Sequence, residues 1–145
     1  MSGVPLVLDA AGLAALVHSP PPRRLQALLQ EAARRGREVL APTLACAEVA
    51  RGRGRTRALE AAVARHDRTR TQRPALRLVD TDFALARQVG AILHGSGSAT
   101  DRLVDAHVVA VCLPYGGGLV VTSDPQDIDV LAAAVPAACI QPVTI

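Results

Sequence analysis

Short apolar runs alternate along the chain with longer stretches in which apolar positions recur every three or four residues. That alternation predicts a parallel sheet covered by helices. Five strands are expected, at Val4 to Leu8, Glu38 to Ala41, Ala75 to Val79, Leu119 to Thr122 and Cys139 to Val143. The first is almost continuously apolar, as a strand buried on both faces must be, and it stops at Asp9. Helices are expected from Ala11 to Val17, from Arg23 to a stop at Gly36, and beyond Pro42, where Thr43 has the chemistry of a cap and Glu48 rides the following turn. Further helices are expected over Thr56 to His66, over Asp82 to Leu93 behind a Thr81 cap, from the Ser98/Asp101 capping-box spacing to Leu113, and over Pro125 to Val135. The helix after Arg23 is the most clearly amphipathic. Its Leu25, Leu28, Leu29, Ala32 and Ala33 share one face, and Arg24, Glu31, Arg34 and Arg35 share the other.

This is an α/β pattern, expected to fold as a single domain of 145 residues with a three-layer sandwich around a central parallel sheet. Composition narrows the chemistry. All 16 cationic side chains are arginine, so a Walker-type phosphate loop, a Schiff base and a receiver-domain lysine are excluded. Phe83 and Tyr115 are the only aromatic residues, too few for a platform that stacks single-stranded bases. A net charge of +3 leans toward a polyanionic partner. Cys46, Cys112 and Cys139 lie far apart in apolar runs and are expected as buried, reduced thiols. The apolar stretch from Val4 to Val17 lacks a leading positive charge and carries Asp9, unlike a signal peptide, so the expected compartment is the cytoplasm, with no membrane span.

In open parallel sheets, ligands bind beyond the carboxyl ends of the strands. Asp9 and Asp124 follow the first and fourth strands, Glu48 follows the second, and Asp101 and Asp105 open the helix that leads into the fourth. Asp127 lies just past Asp124. Carboxylates gathered this closely raise one another's pKa, and a hard divalent cation with oxygen ligands, Mg2+ or Mn2+, resolves the repulsion. Such an ion suits phosphodiester hydrolysis. Plainer roles exist for some of these acids. Glu48 has Arg51 within reach one turn on, Asp101 reads equally as a helix-start charge, and Asp127 as a charge beside a cap.

The segments VLDAAGL, APTLACAEVARG, TDRLVDAHVVAVC and LVVTSDPQDIDVLAAA, in this order over nearly the whole chain, resemble the PIN-domain nucleases, in particular the VapC-type ribonuclease toxins of bacterial toxin-antitoxin pairs. The resemblance implies an acidic quartet of Asp9, Glu48, Asp105 and Asp124, with Asp9 and Asp105 foremost as metal ligands. It implies Thr122 as hydrogen-bonding support, and Asp101 and Asp127 as additional acids for a second ion or a water. One or two Mg2+ or Mn2+ ions, an RNA substrate, a homodimer and a separate VapB-like antitoxin over the acidic groove also follow from it. The expected products carry 5′-phosphate and 3′-hydroxyl ends.

An acidic pocket repels nucleic acid, so cationic surface is needed around it. Eight arginines fall between Arg51 and Arg73, and the first four, Arg51, Arg53, Arg55 and Arg57, are candidate RNA contacts on a loop that Gly52 and Gly54 are expected to keep mobile. Solvated helix surface is the competing reading. His66 and His107 suggest a metal-free acid–base pair less well, because His107 points about 200° around the helix from Asp105. Two other classes of function stay open at this point: a catalytically inactive PIN-fold module that binds RNA or protein, and a phosphohydrolase of small esters. The second lacks an aspartate two residues after Asp9, where Ala11 stands.

Overall fold

The computed structural model describes residues 3–68 and 76–145. Arg70, Arg73 and the expected strand start at Ala75 lie outside the described residues, as do the side chains of Arg65, His66 and Arg68. Five strands, β1 (Leu6–Leu8), β2 (Val39–Pro42), β3 (Leu76–Val79), β4 (Gly117–Thr122) and β5 (Cys139–Thr144), form one sheet in the order β3-β2-β1-β4-β5. Every neighbouring pair is parallel. The crossovers carry α1 (Ala10–Val17), α2 (Arg23–Arg35), α3 (Thr43–Val49), α4 (Arg53–Arg68), α5 (Phe83–Ser96), α6 (Leu103–Cys112) and α7 (Pro125–Ala132).

Alternation along the strands divides the interior into two cores. Leu6 and Leu8 of β1 and Val121 of β4 pack with Leu13, Leu16, Leu25, Leu29, Ala45 and Leu59 from α1 to α4. Val7 and Val120 face the other way, against Val89 and Ile92 of α5, Val108 and Val109 of α6, and Ile128 and Leu131 of α7. The result is the three-layer α/β/α sandwich, with β1 central and buried on both faces. Each wholly buried leucine or valine contributes about 1.5–3 kcal/mol relative to exposure, so the two cores dominate the stability.

Several local expectations are corrected. Thr43 is the first residue of α3 rather than its cap, and its hydroxyl donates to Asp80 Oδ1 at 2.6 Å, joining the starts of two crossovers. Asp82, not Thr81, caps α5, accepting from Leu85 N–H at 2.8 Å; its carboxylate bears charge and so takes the orphan donor better than a hydroxyl. The Ser98/Asp101 spacing builds no capping box. A 3-10 turn over Thr100–Arg102 precedes α6, and no side chain caps it. Arg53, Arg55 and Arg57 are helical from the outset of α4 rather than on a loop, because the break is taken by Gly52 alone, at φ 94°. Of the three free cysteines Cys112 is buried, Cys46 half-buried, and Cys139 exposed on the edge strand β5.

Candidate active site

The central strand ends where the chemistry begins. Asp9 leaves β1, is only 6% exposed, and caps α1 by accepting from Gly12 N–H at 2.8 Å. Its own N–H donates to Val121 O of the adjacent β4 at 3.2 Å, which fixes it beside the end of that strand. There Thr122 is 1% exposed, and its Oγ1 accepts from Asp124 N–H at 3.0 Å. The same hydroxyl lies close enough to Asp9 to favour its charged form. Thr122 therefore couples the acids after β1 and β4. Asp124 is exposed and caps α7, where its Oδ1 meets Asp127 N–H at 3.4 Å. Glu48 is exposed near the end of α3, which follows β2, the other neighbour of β1. Asp105, half-buried, stands in the first turn of α6.

The electrostatics show that these groups lie within reach of one another's charge. The Asp105 carboxyl is pushed from its ordinary 3.8 up to about 6, first by burial and then by the charges of Asp9, Asp127, Glu48 and Asp124, in that order. Asp9 is also raised. Burial is the main cause, opposed by the Thr122 hydroxyl and by backbone N–H groups of Gly12 and Ala11, while Glu48 raises it further. Five acids from four separate stretches of chain thus act on one another. Asp101 stands apart from them: it is exposed in the 3-10 turn, off the helix that carries Asp105, and is not among the leading charges acting on it.

A hard divalent cation fits this donor set, because the groups are all carboxylate oxygens and their mutual repulsion is what such an ion relieves. Among the described residues no three His, Cys, Asp or Glu side chains converge tightly enough to wrap an ion by themselves.

Two basic features border the acids. Arg51, Arg53, Arg55 and Arg57 are exposed, and α4 packs on α1 and α3, the helices that follow Asp9 and carry Glu48. Arg102, which sequence reasoning passed over, stands at the start of α6 with Nη1 2.9 Å from Asp127 Oδ1. Nothing in its sequence neighbourhood distinguishes it from fifteen other arginines; only the fold brings α7 beside it. His107 is buried, with Nδ1 at 2.8 Å from Leu103 O, a structural placement that leaves it without an acid–base partner among the described residues.

An all-parallel sandwich with carboxylates gathered at the carboxyl edge of its central strands defines an α/β protein with an acidic site. The chain belongs to the PIN domain family, whose profile matches residues 6–133, a span that includes every acid named above. Members of this family are generally nucleases and usually use divalent metal ions. No curated protein matches by sequence. Among solved structures the fold is similar to that in the crystal structure of VapBC2 from Rickettsia felis bound to a DNA fragment from their promoter. The identity is 13%, over 95% of this chain and 98% of that one, with a TM-score of 0.63. Among the described residues no helix is long and apolar enough to cross a membrane.

Proposed function

We propose that this protein is a magnesium- or manganese-dependent endoribonuclease, the toxin half of a VapBC-type pair, acting as a homodimer and restrained by a separate VapB-like antitoxin. The observation that carries the reading is the convergence of Asp9, Glu48, Asp124 and Asp127 on Asp105. A divalent ion supplies Lewis acidity there and offsets the charge of the phosphate during in-line displacement. Asp9 and Asp105 would hold the ion directly: Asp9 is buried, Asp105 half-buried, and the charged form of each is penalised without an ion. Thr122 favours the charged form of Asp9 and holds the backbone N–H of Asp124 through its oxygen, which ties the two acids to one strand end. Glu48 and Asp124, being exposed, complete the quartet from the solvent side. Asp101 remains a peripheral acid. Asp127, already paired with Arg102, is a weaker candidate ligand than Asp9 or Asp105.

Arg51, Arg53, Arg55 and Arg57 form the rim that holds the RNA backbone. The likeness to a VapBC complex supports the antitoxin partner, and the family supports the nuclease. Incubation of the purified protein with total bacterial RNA, with and without manganese, tests the reading once the new 5′ ends are mapped. Metal-dependent cleavage leaving 5′-phosphates, lost in Asp9→Asn and Asp105→Asn, is expected. Cleavage that survives EDTA, or that Asp9→Asn performs as fast as the parent, overturns it.

A further inference from the structure

Arg102 is paired with an acid of the site. Its Nη1 is buried and lies 2.9 Å from Asp127 Oδ1. The side chain is 31% exposed, so the guanidinium is held at one end by Asp127 and reaches solvent at the other. Asp127 in turn is among the charges that act on Asp105. The other described ion pairs lie elsewhere: Arg34 and Arg35 bind Glu31 on α2, and Arg77 meets Glu38 just before β2, at the opposite end of the sheet.

We propose that Arg102, anchored by Asp127, is a substrate-binding residue that donates to a backbone phosphate of the RNA entering the acidic site. The assignment rests on the nuclease reading and names a residue that reading does not supply. A phosphate approaching five carboxylates needs a cation inside their perimeter, and the planar guanidinium matches its oxygens with paired donors. Asp127 is then a counter-ion that holds the arginine in place, which explains an acid in the site that is already neutralised.

RNA binding separates this role from a structural one. Fluorescence anisotropy with a labelled single-stranded RNA, in magnesium and in an Asp9→Asn background that blocks cleavage, is measured over a salt series. Arg102→Gln is expected to weaken binding roughly 5- to 10-fold and to lower the slope of log K against log salt by about 1, the signature of one lost phosphate contact. Arg102→Lys should restore the slope and only part of the affinity. Asp127→Asn breaks the same ion pair but leaves the cation, so it should keep the slope. An unchanged slope in Arg102→Gln, or an equal loss in Asp127→Asn or in the distant control Arg34→Gln, overturns the assignment. If the parent cleaves RNA while Arg102→Gln binds normally, only the role of Arg102 falls; if the parent neither binds nor cleaves, the nuclease reading falls with it.

Discussion

Asp105→Asn replaces the most perturbed carboxylate with a neutral group of nearly the same shape. In metal-free protein the charged form of Asp105 is disfavoured by burial and by four neighbouring acids, so its folded-state pKa, about 6, exceeds the ordinary 3.8. The site costs nothing when the carboxyl is protonated in both states; the cost builds as pH rises from 3.8 and is complete above about 6. At full weight that difference corresponds to roughly 3 kcal/mol, and partial solvent exposure reduces it to about 1–2 kcal/mol. In EDTA at pH 7.5, Asp105→Asn should therefore melt about 3–6 °C above the parent. The gap should close toward pH 4, where both side chains are neutral. Adding Mg2+ should stabilise the parent and leave the variant nearly unmoved, reversing the order. Differential scanning fluorimetry over a pH series, with and without the ion, reads all three. A variant less stable than the parent in EDTA at pH 7.5, or a gap that does not depend on pH, refutes the reasoning.

Thr122→Val keeps the buried volume but removes the hydroxyl that meets Asp9 and Asp124; Mg2+ affinity measured by calorimetry should fall roughly 10-fold or more. Asp9→Asn should keep the α1 cap, since an amide oxygen also accepts from Gly12 N–H, whereas Asp9→Ala loses it at a cost of about 1 kcal/mol, offset by the relief of repulsion; urea melts in EDTA separate the two. Gly117→Ala should destabilise by at least about 2–3 kcal/mol in the same assay, because φ is 157° and the new Cβ would lie 2.2 Å from Cys139 O. With a thiol reagent, Cys139 should react fast in the native protein, while Cys112, buried and with its pKa pushed up to about 12, should react only on unfolding.

The layered fold was legible because β1 and β4 are buried on both faces and show it as unbroken apolar runs ending in Asp9 and Asp124. Caps were less legible: Thr81 and Asp82 are adjacent candidates, and only the backbone path shows that Asp82 accepts from Leu85. The glycines misled in two ways. Gly54 suggested a loop, but a single left-handed residue at Gly52 suffices to end one helix and begin the next. The fourth strand is expected only from Leu119, yet Gly117 and Gly118 already belong to β4, where Cys139 O and Cys112 Sγ leave no room for a side chain. Asp9 and Asp105 could be picked out as acids beside apolar runs. Arg102 carries no such signal, and its pairing with Asp127 depends on α6 and α7 lying side by side, a relation that periodicity does not encode.

The two strands that deliver Asp9 and Asp124 are neighbours in space and over a hundred residues apart along the chain. Closing so large a loop is among the slower events in folding. During synthesis the ribosome therefore carries a growing chain whose acids are still strangers to one another, and a chain cut short anywhere before Asp124 lacks the constellation altogether.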